Sequence, residues 1–251
     1  MPPRGKLTQA EKRAARQRQR DRAEAGGQTA EHVPQGPPRC PRSAATARPN
    51  NLNIKLLVAA SEGNTRIVDD LISRGASVDS GDGSNDIMTA LMLAASHGHT
   101  DTVNALAGTH NANVDAVNRS GTTALMYAAF HGHTGIVNAL AGTHNANVEA
   151  VDGFRWTTLM HAAMHGHTDT VNALAGTLNA NVEAVGWWGE TALIHAAEFG
   201  HTDTVNALVG TYNANVNAVD RIHRRTALML AAEEGHTDTV DALRQYGASE
   251  H

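Results

Sequence analysis

The sequence predicts an all-α solenoid of about six helix-turn-helix repeats with turns or β-hairpins at their tips, preceded by a disordered N-terminal extension. Three observations predict it. The chain has 251 residues and is 41% hydrophobic but only 4% aromatic, which suits closely packed helices better than a β-sandwich. From residue 51 onward one motif recurs at a nearly constant spacing. Each copy of that motif has the apolar periodicity of paired helices.

The N-terminal extension, residues 1–50, differs from the rest of the chain in charge and composition. It carries eleven Lys or Arg, four Asp or Glu and all seven prolines, so its net charge is +7. The stretch 32–50, HVPQGPPRCPRSAATARPN, is typical of a disordered linker. Residues 7–25 contain good helix formers, and Thr8 and Glu11 have the spacing of a capping box. A short helix over 7–25 is therefore an alternative to disorder in that stretch.

The repeat domain is predicted to span residues 51–251, which have a net charge of −12. Its clearest marker is the threonine that opens TALMLAA and equivalent segments, with spacings of 34, 34, 34 and 35 residues. These threonines are Thr89, Thr123, Thr157, Thr191 and Thr226. A weaker copy at 56–79 brings the number of repeats to six. Because one unit is too short to bury its own apolar face, the units are expected to stack into one continuous core.

Within a repeat, the spacing of apolar and small residues predicts two helices. The segment TALMLAASHG has such residues at i, i+3, i+4 and i+7, counted from Leu91. The segment TDTVNALAGTH repeats this spacing from Val103, as expected for a second helix with one buried face. The following NANVDAVNRSGT predicts an extended connection, in which Asn111 suits a left-handed backbone position.

These units resemble ankyrin repeats. That family's unit reads roughly D-x-x-G-x-T-P-L-H-x-A-A-x-x-G-H-x-x-x-V-x-x-L-L-x-x-G-A-D-V-N, and NRSGTTALMYAAFHGHTGIVNAL at 118–140 matches most of it. The resemblance covers about residues 52–251 and implies an ankyrin-type solenoid. In this sequence alanine or Thr158 replaces the motif proline, and methionine or Ile194 replaces the first motif histidine. The family's threonine–histidine hydrogen bond is thereby lost, which implies looser units.

The repeats at the two ends differ from the four between them. Repeats two to five carry one extra residue after the second helix and have asparagine near the expected glycine, at Asn111, Asn145, Asn179 and Asn213. The first and last repeats keep Gly75 and Gly247 without that insertion. Their second helices are also more polar, as terminal caps of a solenoid require.

The recurring Gly-His pair is expected to be structural. In the family this histidine closes the turn between the two helices and bonds to backbone there, which implies that role for His99, His133, His167, His201 and His236. No metal site is expected, because equivalent histidines on stacked helices lie roughly 10 Å apart, whereas zinc needs ligand nitrogens at about 2.0–2.1 Å. No motif such as G-x-S-x-G or a P-loop occurs, so neither catalytic residues nor a cofactor is expected.

The resemblance implies a binding surface, because the family holds its partners on the concave helix face and the turn tips. The residues predicted to bind a partner are Arg119, Phe130, His131, Phe154, Trp156, Met164, His165, Trp187, Trp188 and Phe199. All three tryptophans lie in the tips, and tryptophan is favoured at interaction hot spots. Packing of these tryptophans against their own turns stays open as an alternative to binding.

We therefore predict a non-catalytic, monomeric adaptor that binds another protein. An alternative assigns the function to the basic arm at 12–20, KRAARQRQR, which would contact phosphates or an import receptor in a nuclear or nucleic-acid-associated regulator. The net charge of −12 argues against nucleic-acid binding by the repeats themselves. No secretory signal and no apolar run of about 18 residues occurs, so an intracellular protein is expected, cytoplasmic or nuclear and without a membrane partner.

Overall fold

The computed structural model describes residues 51–83 and 87–249. Three predictions lie outside the described residues: the disordered extension at 1–50, the alternative helix over 7–25 and the basic arm at 12–20. The account below therefore concerns the repeats.

The described residues form six helix pairs, one for each predicted repeat, joined by turns and extended connections. In chain order the helices are α1 (Asn51–Ser61), α2 (Thr65–Ser73), α3 (Ala90–Ser96), α4 (Thr100–Asn104), α5 (Ala124–Phe130), α6 (Thr134–Val137), α7 (Thr158–Met164), α8 (Thr168–Asn172), α9 (Ala192–Glu198), α10 (Thr202–Asn206), α11 (Ala227–Glu233) and α12 (Thr237–Gln245). Odd numbers denote the first helix of a repeat and even numbers the second. The predicted all-α repeat solenoid is confirmed, and no regular β-strand occurs in the described part of the chain.

The recurring threonine starts the first helix of repeats two to six. The Thr89 side-chain oxygen accepts a hydrogen bond from the Met92 backbone N–H at 3.3 Å, which satisfies a donor at the helix start that has no partner within the helix. Equivalent bonds in the other four repeats measure 3.2–3.4 Å. In the second repeat Met92 also accepts the Thr89 N–H at its sulfur, at 3.5 Å. Methionine, which stands where the resembled family has histidine, thus completes the cap there.

The core is a stack of neighbouring first helices, α3 on α5, α5 on α7 and so on along the chain. In repeats one to five the paired alanines of these helices are buried, as at Ala128 and Ala129, and their small size allows close approach of the helices. Each first helix also buries at least one leucine, such as Leu125 at 1% exposure. Burying such a side chain contributes about 1.5–3 kcal/mol. Because a seven-residue helix is marginal alone, this packing between repeats maintains the helices.

The second helices of repeats two to five end in a π-helical turn, which the sequence analysis did not predict. These turns are Ala105–Thr109, Asn138–Thr143, Ala173–Thr177 and Ala207–Thr211. The extra residue was placed after the helix, whereas the structure takes it up inside the last turn. There the His110 N–H donates to Ala105 O at 3.0 Å, and such an i→i+5 bond accommodates one additional residue. Asn111 then adopts a left-handed backbone conformation with φ +50°. Gly75, the glycine that follows the second helix of the first repeat, also has a positive φ, of +95°.

The connections between repeats are joined by a ladder of side-chain acceptors. Asp115 Oδ1 accepts the backbone N–H of Asn147, in the next repeat, at 2.8 Å. The same bond recurs at Asp79 to Asn113, Glu149 to Asn181 and Glu183 to Asn215, at 2.8–2.9 Å. The repeated NANV(D/E) sequence therefore fixes each connection to its neighbour and sets the register of the tips that follow.

Candidate binding surface

Each tip is a tight turn that precedes the first helix of a repeat. In three of the four tips described below, the first residue has a polar side chain that accepts hydrogen bonds from the backbone of the turn. Asp152 Oδ1 accepts the backbone N–H groups of Phe154 at 2.8 Å and Trp156 at 2.9 Å, a turn to which aspartate is well suited. In the last tip Asp220 Oδ1 accepts the backbone N–H groups of Ile222 at 3.1 Å and His223 at 2.6 Å. In the tip at 118–122 Asn118 takes this place and accepts one backbone N–H at 2.8 Å.

Backbone hydrogen bonds join the tips of consecutive repeats. The Gly153 N–H donates to Ser120 O at 2.7 Å, and the Trp187 N–H donates to Phe154 O at 3.1 Å. The last two tips are joined in the same way, at 2.5 Å. We call the four joined segments the tip ridge: residues 118–122, 152–156, 186–190 and 220–225. The side chains of the ridge are thus held on one continuous framework.

A continuous series of ring contacts leads from the tip ridge to the ends of the first helices. The ring centroids are separated by 6.1 Å for Trp188–Phe154, 5.8 Å for Phe154–Trp156, 5.7 Å for Trp156–His161, 6.2 Å for His161–Phe130 and 4.0 Å for Phe130–His165. We call these six residues the aromatic path. Phe154 is 52% exposed, Trp188 45% and Phe130 38%. Phe154 and Trp188 therefore present exposed rings on two consecutive tips, and Phe130 presents one in the third repeat, connected to them through the half-buried Trp156 and the buried His161.

Trp156 is the half-buried member of the path and links two repeats. Its Nε1–H donates to Glu190 Oε1 at 2.7 Å, and Glu190 Oε2 accepts the Trp188 N–H at 2.9 Å. The Trp156 ring also meets His195 edge-on, at a centroid distance of 4.5 Å. The tryptophans thus occupy different environments, because Trp156 is held inside the ridge while Trp187 and Trp188 are 48% and 45% exposed.

A buried carboxylate–imidazole pair lies beneath the ridge. His161 Nε2 is 3.1 Å from Asp152 Oδ2, and both side chains are buried. Burial on its own raises the pKa of Asp152, but hydrogen bonds from His161 and from the backbone N–H groups of Trp156 and Phe154 outweigh it and hold the pKa below the usual value. The carboxylate therefore stays ionised and keeps its turn fixed.

The ends of α5 and α7 place two histidines beside the aromatic path. His131 follows Phe130, whose ring it meets edge-on at 4.9 Å, and His165 follows Met164 at the equivalent position. Partial desolvation lowers the pKa of His131 and of His165, and the charges of neighbouring histidines act in the same direction. Both rings consequently favour the neutral form, which keeps this part of the surface weakly polar near neutral pH.

The histidines of the Gly-His pairs lie between repeats. Each is the N-cap residue of a second helix, and its Nε2 hydrogen bonds to a main-chain carbonyl at the end of the preceding repeat's first helix. The bonds are His99 to Ser61 O (2.9 Å), His133 to Ser96 O (3.1 Å), His167 to Phe130 O (3.0 Å), His201 to Met164 O (3.0 Å) and His236 to Glu198 O (3.1 Å). These side chains therefore join neighbouring repeats, in addition to standing at the turn.

Five predicted partner-binding residues lie outside the aromatic path: Arg119, His131, Met164, Trp187 and Phe199. Arg119 and Trp187 are exposed on the tip ridge. Phe199 is 44% exposed at the end of α9, where its ring stacks on His201 at 6.4 Å. Met164 is partly buried. The structure thus brings most of the predicted residues onto the ridge or the adjoining helix ends.

Comparison with known proteins decides the family. A sequence model of the family described as Ankyrin repeats (3 copies) matches residues 56–152 and 159–250, which is most of the chain. The chain belongs to the ankyrin-repeat family. Ankyrin repeats generally mediate protein–protein interaction, and proteins built from them are generally non-catalytic. No curated protein matches the sequence.

Two further observations concern only the described ankyrin repeats. Within residues 51–83 and 87–249, no group of three His, Cys, Asp or Glu side chains is arranged to hold a metal ion. No helix in that same part of the chain combines the length and the apolar character needed to cross a lipid bilayer.

The sequence analysis missed four buried polar residues of this ankyrin surface: Asp152, His161, Glu190 and His195. Signals for them exist in the sequence. His161 and His195 stand where the other repeats have leucine, tyrosine or, in the first repeat, Val58, and Glu190 ends a tip that has no acidic residue at its first position. The periodicity of a single sequence does not distinguish a buried ion pair from a solvated charge. The hydrogen-bond partners of these four side chains can therefore be identified only from the structure.

Proposed function

We propose that this ankyrin-repeat domain is a non-catalytic adaptor that binds a partner protein through the tip ridge and the adjoining ends of its first helices. Three exposed rings of the aromatic path, Phe154, Trp188 and Phe130, carry the proposal. Contiguous exposed aromatic surface is uncommon on a monomer unless it is used for binding. Tryptophan, tyrosine and arginine are the residues that most often dominate binding free energy at interfaces.

The distribution of exposed apolar side chains supports the same surface. Six large apolar residues that are at least 45% exposed lie on the ridge or directly before a tip: Val117, Val151, Phe154, Trp187, Trp188 and Ile222. Phe130 and Phe199 add exposed rings at the ends of α5 and α9. A partner that covers these side chains would bury apolar area at roughly 25 cal/mol per Å². Trp156, held by Glu190, is expected to support this surface from within.

The experiment is an affinity purification from an extract of the source cells, with the full chain as bait. A Phe154→Ala/Trp188→Ala double variant removes two exposed rings of the path. Ile67→Ala removes a side chain that is 46% exposed on α2 and serves as the matched control. We expect one protein to be captured by the wild type and the control and lost with the double variant. Equal capture by all three chains would exclude the surface.

Once a partner is identified, its affinity distinguishes the proposal from the alternative based on the basic arm. Trp188→Ala should weaken binding by about 2 kcal/mol if this tryptophan is a hot spot. Replacing Lys12, Arg13, Arg16, Arg18 and Arg20 by Gln in the full chain removes the arm's charge and leaves the repeats intact. Binding that depends on the arm and is insensitive to Trp188→Ala would favour the alternative.

A further inference from the structure

Basic residues of the repeats are concentrated on the tip ridge. Residues 51–251 contain nine Lys or Arg, and five of them lie there: Arg119, Arg155, Arg221, Arg224 and Arg225. Arg225 is engaged internally, in ion pairs of 3.1 and 3.3 Å. The other four are exposed, and within residues 51–83 and 87–249 none of them is in an ion pair. The ridge therefore presents four guanidinium groups that are available to another molecule.

The acidic residues of the ridge point inward. The ridge contains three, Asp152, Glu190 and Asp220, and they are only 8%, 6% and 5% exposed. Their oxygens accept hydrogen bonds from backbone N–H groups of the tips, from Trp156 and from Arg225. Because these carboxylates are used within the turns, the exposed face of the ridge is basic although the repeat domain as a whole has a net charge of −12.

Two of the four exposed arginines occupy an unfavourable backbone conformation. The penultimate position of every tip has a positive φ, and glycine fills it in two tips, with φ +80° at Gly121 and +82° at Gly189. Arg155 and Arg224 fill the same position with φ +60° and +56°. A side chain in the left-handed region is strained, whereas glycine is not. Arginine at these two positions therefore costs stability that glycine would restore, and strained residues of this kind are often found at functional sites.

We propose that the tip ridge recognises an acidic segment of the partner protein, whose carboxylates pair with Arg119, Arg155, Arg221 and Arg224 while an apolar side chain of the same segment packs on Phe154 and Trp188. The proposal rests on the proposed function and specifies the chemistry of its partner. The arginine fork matches carboxylate geometry. Along the ridge Arg119 lies in the tip before those of Phe154 and Trp188, Arg221 and Arg224 lie in the tip after them, and Arg155 directly follows Phe154 in the chain. The segment is therefore expected to have acidic residues on both sides of its apolar residue.

The charge of the domain favours a peptide over a nucleic acid as the occupant. Guanidinium groups also bind phosphates, and tryptophan can stack on bases. A nucleic acid, however, carries its charge along its whole length and would meet the field of a domain with net charge −12. A short acidic segment confines its charge to the ridge and gains apolar contact there.

A peptide selection tests the proposal with the full chain. A random twelve-residue phage-display library is first depleted on a Phe154→Ser/Trp187→Ser/Trp188→Ser variant, which retains residues 1–50 and all the arginines. The remaining phage are selected on the wild-type chain. Depletion removes peptides that bind the basic extension or the arginines alone, so surviving clones depend on the aromatic rings. We expect these clones to be enriched in Asp and Glu on both sides of an apolar residue.

The selected peptides are then synthesised and titrated against an Arg155→Gly/Arg224→Gly variant. We expect their affinity to fall by about tenfold, as two lost charge pairs would produce, while the thermal midpoint of the variant rises because the backbone strain is relieved. A Lys55→Ala/Arg66→Ala variant loses the same charge from exposed sites in the first repeat and should change affinity less than twofold.

The possible results separate the two proposals. Ring-dependent clones that are not acidic, or that bind the Arg155→Gly/Arg224→Gly variant unchanged, overturn the acidic-segment proposal and leave the aromatic surface as a protein-binding site. A selection without any ring-dependent clone overturns both. Fluorescein-labelled oligodeoxythymidylate is titrated in parallel. If its binding depends on Arg155 and Arg224 while that of the peptides does not, the ridge is a nucleic-acid site and the proposal is wrong.

Discussion

Trp156 in the fourth repeat donates its indole N–H to Glu190 in the fifth repeat, with 2.7 Å between Nε1 and Oε1. The same carboxylate accepts the backbone N–H of Trp188 through its other oxygen, at 2.9 Å. One buried acidic side chain therefore fixes both a half-buried and an exposed tryptophan. This arrangement couples the stability of the tip ridge to the position of the ring that we propose contacts the partner.

Removal of this carboxylate should destabilise the domain. Glu190→Ala leaves two donors without their acceptor, and we expect a loss of about 1–3 kcal/mol in the free energy of unfolding. Trp156→Phe removes the N–H donor and keeps an aromatic ring of smaller size. Urea unfolding of both single variants and the double variant gives a double-mutant cycle, in which we expect a coupling of about 0.5–1.5 kcal/mol. Additive effects would contradict a direct bond.

The two histidines of one His-Gly-His segment should behave differently. His133 bonds to Ser96 O in the preceding repeat at 3.1 Å, and its ring lies so close to Gly98 that a Cβ there would come within 2.8 Å. His133→Ala should cost about 1–3 kcal/mol of stability. His131 is exposed, so His131→Ala should change stability by less than about 0.5 kcal/mol. Unfolding experiments check both, and the reverse order would contradict a role between repeats for His133.

The left-handed asparagines after the π-helical turns can be tested at one position. Asn145 has φ +55°, a conformation that asparagine and glycine adopt more readily than alanine. Asn145→Ala should destabilise the domain by about 1 kcal/mol, whereas Asn145→Gly should lie within a few tenths of a kcal/mol of the wild type. Thermal unfolding compares the two variants. Equal destabilisation by alanine and glycine would show that the side chain, and not the backbone conformation, matters there.

The stability of the domain should decrease in mildly acidic solution. Partial desolvation and the charges of neighbouring histidines lower the pKa of His131 and of His165 in the folded protein, so the unfolded chain binds protons more readily than the folded one. Their contribution is fully present above the unfolded pKa of about 6.5 and is lost as the pH falls through the lowered values. Unfolding free energies at pH 7.5 and 5.5 should therefore differ less for His131→Gln/His165→Gln than for the wild type.

A control variant separates these two histidines from the other histidines of the chain. His144 lies after the second helix of the third repeat, where its ring hydrogen bonds to the uncharged side chain of Asn104 at 3.2 Å. His144→Gln should retain the wild-type difference between pH 7.5 and 5.5. A double variant with the same pH dependence as the wild type would contradict the assignment to His131 and His165.

Repetition made the fold predictable from the sequence. Six copies of a short motif, with threonine before each first helix and paired alanines within it, predict stacked helix pairs, and the buried Ala128 and Ala129 confirm this packing. The fate of the inserted residue was not predictable in the same way. Whether an extra residue forms a loop or widens the helix depends on which backbone hydrogen bonds each arrangement can form. The hydrogen bond from His110 N to Ala105 O shows that the helix widens here.

The candidate surface was only partly predictable. Tryptophans in the tips are visible in the sequence, but their environments are not, because they depend on partners in the adjacent repeat. Trp156 is held by Glu190, 34 residues away in the chain, while Trp187 remains 48% exposed. The inward orientation of Asp152 likewise follows from its bonds to the backbone of its own turn, and it leaves the arginines of the ridge without acidic neighbours on the ridge surface.

Site-specific photo-cross-linking tests the central claim most directly. A benzophenone amino acid replaces Trp188 on the ridge, Phe130 at the end of α5, or Asp203, an exposed residue of α10, and each full chain is irradiated in an extract of the source cells. Binding through the ridge and the first-helix ends predicts that the same partner protein is cross-linked from positions 188 and 130 and not from position 203. Cross-linking from position 203 alone would contradict it.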